Sequence, residues 1–434
     1  EQELVLGVGG TRALSALGWD LPVFHLNEGH AGFLVLELIN RVIADGDLAS
    51  AVDAVRPGLV FTTHTPVPAG IDRFERKLIE PYLALWAAHW GISVDRVWEL
   101  GADPVDTEKF FNMAALGLRM SSDANGVSRL HGKVSRELFA GVGIGDDIGS
   151  ITNGVHARTW VAGHTQEVFD RVLGTDWALG DSAAWARVDD LSDAAITTIR
   201  RDGSAKLSRL VARTTGQALD PDSLIIGFAR RFATYKRATL LLEHPERLAV
   251  LLADNDRPVH FVFAGKAHPA DKAGKSLLAD IVSFSRSAKA NGRFTFIPDY
   301  GIEIARRMYD GCDIWLNTPV RPREASGTSG EKSALNGGLN CSILDGWWAE
   351  MYDGRNGWDI LTSDAVDAAV RDSDESAATL DRIEEIIAEY HGNPDAFISR
   401  VRHNWRSLGP QVTATRMVAE YRDRIYRPAL SRVR

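Results

Sequence analysis

A stretch of small residues that ends in a lysine is the part of the sequence best suited to hold an anionic ligand. It runs from Glu324 to Lys332 and reads EASGTSGEK. Small residues let the backbone approach a ligand closely, and successive N–H groups ahead of a helix can surround a phosphate. An amine beside such a cradle suits pyridoxal phosphate, which needs a partner for its aldehyde and donors for its phosphate. By spacing alone, a flexible turn with a surface lysine fits the same residues.

A second candidate is the basic segment RRFATYKR at residues 230–237. It carries four cations within eight residues, follows a β-rich run at 224–229 and precedes a helical pattern at 238–252. Side-chain charge and the free N–H groups of a helix N-terminus would both favour an anion there. A solvated basic turn is the alternative interpretation. No basic stripe continues elsewhere in the chain, so the pattern favours phosphate over nucleic acid.

Polar residues also end two earlier predicted strands. The run HLNEGH at 25–30 contains two histidines and a carboxylate, but His25 and His30 lie on either side of a strand-to-helix turn. Metal ligands need to converge on one point, so we predict no metal site. His64 ends the next strand. A histidine in that place is usually a hydrogen-bonded structural group, unless its loop faces a ligand cleft.

Composition excludes several classes of protein. The 434 residues include 49 Lys and Arg against 58 Asp and Glu, a net charge of −9, which argues against a nucleic-acid-binding protein. No apolar run reaches the length of about 18 residues that a membrane span needs, so no membrane partner is expected. The two cysteines, Cys312 and Cys341, exclude a disulfide framework and are typical of a cytoplasmic protein.

The elements that must position these residues alternate between strands and helices. Strands are predicted at 23–26, 59–63, 224–229, 259–264, 294–297 and 313–316. Helices are predicted at 33–43, 76–89, 238–252, 273–290 and 302–310. This alternation predicts an α/β fold with parallel sheets, in two Rossmann-like domains that face a cleft. We expect the first domain at 1–150, the second at 151–408, and a C-terminal helix at 409–434 that packs back on the first.

Taken together, the motifs resemble the α-glucan phosphorylases (glycogen, starch and maltodextrin phosphorylase). The pyridoxal-phosphate signature of that family is similar to the stretch from Glu324 to Lys332, and the other similar motifs follow the family's order along almost the whole chain. The residues of these motifs are most similar to those of the shorter bacterial branch of the family. These motifs lie at 25–30, 63–68, 127–131, 152–160, 230–237, 265–267, 296–300 and 346–354.

The resemblance implies the GT-B fold and phosphorolysis of the terminal α-1,4 bond of a glucan. Inorganic phosphate would accept the glucosyl unit with retention, giving glucose 1-phosphate. The cofactor would act through its 5′-phosphate in proton transfer. The resemblance implies the following cofactor-binding residues: Lys332 for covalent attachment, Arg230, Thr328 and Ser329 for the phosphate, and Trp160 and Tyr300 near the ring.

The substrate residues are likewise implied by the resemblance. Arg231 and Lys236 would bind the substrate phosphate, and His64 would lie beside the glucosyl unit; with Lys332, these are the expected catalytic residues. The remaining expected contacts to the glucan are Glu28, His30, Asn153, Tyr235, Glu324, Ala325, Ser326 and Gly327.

Some features depart from the family pattern. Glu331 stands where the family usually has methionine, and a carboxylate beside a phosphate site is unfavourable unless it points away. The chain opens inside an apparent element, so we expect a piece of a longer protein whose first domain is incomplete. A nucleotide-sugar-dependent glucan synthase or an inert glucan-binding fragment remains an alternative. A homo-oligomer is possible.

Overall fold

The computed structural model describes residues 1–67 and 70–433. The chain divides into two compact units, one formed by Glu1–Thr152 with Val418–Arg434 and the other by Asn153–Met417. Residues 409–417, which we expected to belong with the C-terminal helix, therefore group with the second unit. Pro68, the last residue of the motif at 63–68, and Arg434 lie outside the described residues. No helix in the described part of the chain is long and apolar enough to cross a membrane.

The first unit is built on a four-stranded parallel sheet in the order β1-β2-β5-β6. The unit also contains a separate antiparallel pair of strands, β3 and β4. The side chains of Leu26, Phe61 and Phe111 are almost fully buried in its core. The strands are β1 (Phe24–Asn27), β2 (Leu59–Thr62), β3 (Arg73–Glu75), β4 (Phe110–Asn112), β5 (Asp123–Gly126) and β6 (Gly149–Ser150).

Helices cover the sheet of the first unit, and polar residues begin several of them. The side chain of Asn112 accepts hydrogen bonds from the backbone N–H groups of Ala114 and Ala115, which is the usual way to cap a helix start. The α-helices are Gln2–Leu4, Gly10–Ala16, Leu34–Val42, Leu48–Val55, Arg76–Trp90, Val94–Trp98, Met113–Met120, Arg129–Leu138 and Arg427–Val433, with π-helical turns at Val5–Gly9 and Arg422–Tyr426. The helix Ala414–Tyr421 contains the boundary between the units.

The second unit contains a six-stranded parallel sheet in the order β12-β11-β10-β7-β8-β9. Read from the far edge, this is the 3-2-1-4-5-6 order of a doubly wound Rossmann fold. The predicted α/β class with Rossmann-like domains is therefore confirmed. The strands are β7 (Leu224–Ala229), β8 (Val259–Ala264), β9 (Phe294–Ile297), β10 (Ile314–Asn317), β11 (Leu339–Ile343) and β12 (Gly357–Ile360).

Three helices of the second unit matter for the sites below. They are α1 (Asp193–Thr215), α2 (Ile302–Gly311) and α3 (Thr328–Leu335). The others are Ala157–Trp160, Gly163–Val172, Ser182–Ala186, Pro245–Ala253, Lys272–Ser285, Trp348–Met351, Ala368–Gly392 and Pro394–Leu408.

The predicted helix at 238–252 is wrong in its first half. The chain forms short 3₁₀ turns at Thr234–Lys236 and Leu240–Glu243, and the helix begins only at Pro245. Two features oppose an earlier start: Arg237 has a φ of 46° in the left-handed region, and Pro245 has no N–H to donate to a preceding turn. The basic segment consequently does not lie at a helix N-terminus, and its anion-binding capacity must come from side chains.

Candidate functional site

Two loops of the second unit meet where the strand order reverses. β7 and β10 are neighbours in the sheet, and the next strands along the chain run outward from them in opposite directions. The basic segment at 230–237 follows β7, and residues 318–327 follow β10. The backbone N–H of Val320 donates to the carbonyl of Tyr235 at 2.7 Å, which ties the two loops together. Ligands of doubly wound sheets bind in this kind of crevice, outside the carboxyl ends of the strands.

A buried network of charged side chains joins these loops. Arg230 donates to Glu324 at 2.6 Å, and the ammonium group of Lys236 lies 3.5 Å from the other oxygen of the same carboxylate. Arg230 also donates to the side chain of Asn317 on β10. The Nε of Arg230 is buried and has no hydrogen-bond partner among the described residues. One carboxylate thus faces two cations, so an anion added nearby would meet excess positive charge.

Burial and neighbouring charges shift the pKa values in this network. Burial, together with the charge of Arg230, lowers the pKa of Lys236 to about 8, even though Glu324 opposes the shift. Burial alone would raise the pKa of Glu324, but Arg230 and Lys236 more than offset it, so that its pKa is lowered. Burial raises the pKa of Tyr235 to about 12. At neutral pH, Glu324 is therefore an anion and Tyr235 a neutral donor.

The other two cations of the segment differ in their surroundings. Arg231 is exposed and makes no ion pair with any described residue. Arg237 is buried: it donates to the carbonyls of Thr318 and Pro319 and pairs with Asp372 and Glu375. The interpretation of all four cations as one anion site is therefore wrong for Arg237, because its guanidinium is fully engaged in holding the loop.

Lys332 lies in an aromatic environment on α3. Its ammonium group is 4.2 Å from the ring centroid of Trp160 and 5.7 Å from that of Tyr309. Tyr309 in turn packs against Trp315, with ring centroids 4.7 Å apart. Burial lowers the pKa of Lys332, which favours the neutral amine that an aldehyde needs. Tyr300 and Trp160 both pack on the apolar cluster that contains Tyr309 and Trp315.

The start of α3 has the geometry of a phosphate cradle. Gly327 precedes the helix with a φ of 92°, a conformation that glycine adopts without strain. The N–H groups of Thr328 and Ser329 begin the helix, where no earlier turn supplies acceptors for them. Trp315 donates to the hydroxyl of Ser329 at 3.2 Å. An amine, aromatic rings, free N–H donors and the unpaired Nε of Arg230 together fit pyridoxal phosphate.

Glu331 is completely buried next to Lys332. Neither of its carboxylate oxygens has a hydrogen-bond partner among the described residues. Burial raises its pKa to about 8, although the charges of Arg416 and Lys332 act in the opposite direction. Glu331 is thus protonated at neutral pH, so that it adds no negative charge beside a phosphate site.

This protonation makes folding stability depend on pH. The unfolded chain ionises Glu331 near pH 4.5, whereas the folded chain keeps the proton to about pH 8. Between these values the folded state binds more protons, so we expect stability to fall with rising pH, by at most about 1.4 kcal/mol per pH unit for this group. In Glu331→Gln the fall should be shallower. Urea unfolding at pH 5.5 and 7.5 tests this, with the exposed Glu303→Gln as control; equal slopes in both variants would refute it.

Backbone contacts hold several of the other expected glucan residues of the second unit. Ser326 uses its carbonyl to accept the N–H of Trp347 at 2.9 Å. The backbone N–H of Glu324 donates to Asp345 at 3.0 Å, which fixes the start of the motif. Asn153 uses its carbonyl to accept from Arg416 at 2.8 Å and is half-buried. These contacts engage mostly backbone atoms, and the buried hydroxyl of Ser326 has no hydrogen-bond partner among the described residues.

Glu28 is the most constrained candidate in the first unit. It has a φ of 62°, which is unusual for a residue with a side chain. One carboxylate oxygen accepts from the N–H of His64 at 2.6 Å and from the hydroxyl of Thr65 at 3.0 Å, while the other is buried without a partner. Burial raises the pKa of Glu28 and lowers that of His64. Glu28 therefore fixes the loop that carries His64.

The two histidines considered for a metal site have separate partners. His25 uses both ring nitrogens, toward Tyr426 at 2.8 Å and Thr62 at 2.7 Å. His30 is exposed and lies 3.1 Å from Asp72. The ligand atoms of Glu3, His30 and Asp72 lie within 4.8 Å of one another. Acidic groups gather in this way without an ion, so this cluster does not by itself indicate a metal.

Comparison with known proteins identifies the family. The sequence profile of the carbohydrate phosphorylase family matches residues 18–361. The chain belongs to the carbohydrate phosphorylase family. It is 43% identical to a glycogen phosphorylase of Mycobacterium tuberculosis (strain CDC 1551 / Oshkosh), over 99% of this chain and 54% of that protein. The chain thus spans about half the length of this relative.

More distant phosphorylases also match almost the whole of this chain. A maltodextrin phosphorylase of Thermococcus litoralis is 38% identical over 99% of this chain and 54% of that protein. A glycogen phosphorylase of Aquifex aeolicus is 34% identical over 98% of this chain and 65% of that protein. The resemblance to α-glucan phosphorylases, and with it the GT-B fold, is confirmed.

Sequence reasoning did not single out several residues that build the candidate site. Asn317 ends β10 and accepts from Arg230, and Asp345 accepts the N–H groups of Glu324 and Gly346. Tyr309 lies on the buried face of α2. A polar residue at the end of an apolar strand was the available signal for Asn317, whereas Tyr309 looked like an ordinary core residue.

Proposed function

We propose that this chain carries the catalytic site of an α-1,4-glucan phosphorylase. The terminal glucosyl unit of a glycogen, starch or maltodextrin chain passes to inorganic phosphate and leaves as glucose 1-phosphate with retained configuration. One observation carries the proposal: the pair Arg230 and Lys236 on a single buried carboxylate, Glu324, at the switch point of the sheet. A site of this kind is built to collect anions at the carboxyl edge.

The cofactor in this proposal is pyridoxal 5′-phosphate. Lys332 holds it covalently, and Arg230 with the N–H groups of Thr328 and Ser329 binds its phosphate. Trp160 and Tyr300 flank the ring. When bound, the cofactor supplies a phosphate that exchanges a proton with the substrate phosphate. The burial of Lys332 and its aromatic neighbours support this assignment.

The substrate phosphate is held by Arg231 and Lys236. Arg231 is exposed and has no ion-pair partner among the described residues, so that its guanidinium is available to an incoming anion. Lys236, with a pKa of about 8, is mostly charged at neutral pH and gains charge when an anion arrives. Glu324 keeps these cations in position while remaining an anion itself.

The glucosyl unit is recognised mainly by polar groups of the switch-point loops. In the second unit, the proposed contacts to the glucosyl unit are Asn153, Tyr235, Glu324, Ala325, Ser326 and Gly327. In the first unit, taken by itself, the proposed glucan-binding residues are Glu28, His30 and His64. Tyr235 remains a neutral hydroxyl at physiological pH, which suits hydrogen bonding to a sugar. We place the reaction in the cytoplasm, which the two buried, unpaired cysteines support.

The test is an assay of phosphorolysis with a defined glucan. The complete protein, reconstituted with pyridoxal phosphate, is incubated with maltoheptaose and inorganic phosphate, and products are followed by ³¹P and ¹H NMR. We expect α-glucose 1-phosphate that forms only when phosphate is present. Chain extension from a nucleotide sugar without phosphorolysis would identify a glucan synthase instead. Glucan binding without any product would identify an inert binding protein.

A further inference from the structure

A basic groove lies on the second unit between helices α1 and α2. We call it the α1–α2 groove; its volume is about 580 Å³. Four cationic side chains line it, against the single carboxylate of Glu303: Lys206, Arg209, Arg213 and Arg307. The protein as a whole carries a net charge of −9, so this concentration of positive charge is local. None of the groove residues belongs to the phosphate-binding residues proposed above.

The three arginines of the groove are available to a ligand. Arg209, Arg213 and Arg307 are exposed, and none makes an ion pair or a side-chain hydrogen bond with any residue in the described part of the chain. Arg209 and Arg213 are one helical turn apart on α1, so their guanidinium groups point to the same side. Lys206 is held in place, because its ammonium group lies 2.6 Å from Nδ1 of His164.

The floor of the groove is apolar. Leu210 of α1 is buried and Ile304 of α2 is partly buried, and both belong to the lining. A groove of this volume accommodates a small metabolite, and an apolar floor with a charged rim suits a carbon skeleton that carries anionic groups. A guanidinium group can form two parallel hydrogen bonds to one phosphate, which a lysine ammonium group cannot do in that geometry.

We propose that the α1–α2 groove binds a small organic phosphate that carries two or more phosphate groups on a carbon skeleton. Arg213 and Arg307 bind the phosphates from opposite helices, and Leu210 and Ile304 contact the carbon skeleton. The carboxylate of Glu303 accepts hydrogen bonds from hydroxyl groups of the ligand. This inference does not depend on the proposed phosphorylase activity.

Helix α2 connects the groove to the surroundings of Lys332. Arg307 and Ile304 lie on its groove side, whereas Tyr309, near the ammonium group of Lys332, lies on its buried side. A ligand in the groove would therefore contact the same helix that forms part of the candidate cofactor site. The groove and the candidate cofactor site thus share helix α2.

The test measures binding of two probes, fructose 1,6-bisphosphate and ADP, by isothermal titration calorimetry at about 0.15 M salt. The matched pair of variants is Arg213→Gln with Arg307→Gln against Arg201→Gln with Arg306→Gln. Both double variants change exposed arginines of the same two helices and lose the same charge, but Arg201 and Arg306 do not line the groove. Arg231→Gln reports any binding at the proposed substrate-phosphate site.

We expect at least one probe to bind the wild-type protein, and the groove variant to weaken it by about tenfold or more for each lost guanidinium. The matched variant and Arg231→Gln should change the affinity by less than about twofold, since they leave the groove intact. Binding of only one probe supports the proposal and shows whether a sugar or a nucleoside fits the floor. Binding of neither probe, equal weakening in the two double variants, or loss of binding in Arg231→Gln overturns it.

Discussion

Replacing Arg231 with methionine should lower the rate of phosphorolysis by about 100- to 1000-fold while the fold stays intact. The exposed guanidinium is assigned to the substrate phosphate, and the loss of one preorganised donor at a developing charge typically costs about 3–4 kcal/mol. Nothing in the described structure pairs with Arg231, so stability should change by less than about 0.5 kcal/mol. Steady-state kinetics and urea unfolding of the same preparation measure both quantities.

The amount of bound pyridoxal phosphate distinguishes the role of Arg230 from that of Arg231 in this experiment. Arg230, not Arg231, is assigned to the cofactor phosphate, so Arg231→Met should retain nearly normal pyridoxal phosphate. Loss of cofactor together with activity would mean that the two arginines share one function. An unchanged rate would remove Arg231 from the substrate-phosphate site altogether.

Replacing Arg237 with methionine should destabilise the second unit by about 3–5 kcal/mol, because it leaves the buried carboxylate of Glu375 without its partner. The same change removes donors from the carbonyls of Thr318 and Pro319, which hold the loop after β10. The free energy of unfolding in urea measures the effect, and Arg231→Met, six residues earlier in the same segment, is the matched control.

These two substitutions should therefore have opposite profiles. Arg231→Met is expected to lose activity and keep stability, whereas Arg237→Met loses stability first. If Arg237→Met proved as stable as the wild type, the buried contacts of its guanidinium would contribute little. The interpretation of Arg237 as a structural residue would then fail.

The alternation of elements and the strongly apolar strands could be predicted from the sequence. The runs at 224–229, 259–264 and 294–297 coincide with β7, β8 and β9, because strands buried on both faces consist of continuous apolar residues. Six strands of the described structure were not predicted: β3, β4, β5, β6, β11 and β12. β5 and β11 show the reason. Their sequences, DANG and LNCSI, contain polar residues whose burial depends on partners distant in the sequence, such as Asn340 donating to the carbonyl of Gly330.

The basic segment shows the corresponding limit for the site. Its composition singled out the loop after β7, but the sequence does not distinguish the four cationic residues of the segment from one another. Only the tertiary contacts separate Arg237, buried against carbonyls and carboxylates, from the exposed Arg231. Arg237 has a left-handed backbone conformation. An arginine in the sequence does not indicate such a conformation, so this feature could not be predicted.

The most direct test of the account is the identity of the lysine that carries the cofactor. Two amines have lowered pKa values near the switch point, Lys236 and Lys332. Lys236 lies over the ring of Tyr235, whereas Lys332 lies over the rings of both Trp160 and Tyr309 and is part of the helix that begins with the free N–H groups. After incubation with pyridoxal phosphate and reduction with borohydride, peptide mapping by mass spectrometry locates the fixed cofactor. We expect the label on Lys332 and an unlabelled chain in Lys332→Ala. A label on Lys236, or undiminished labelling of Lys332→Ala, would contradict it.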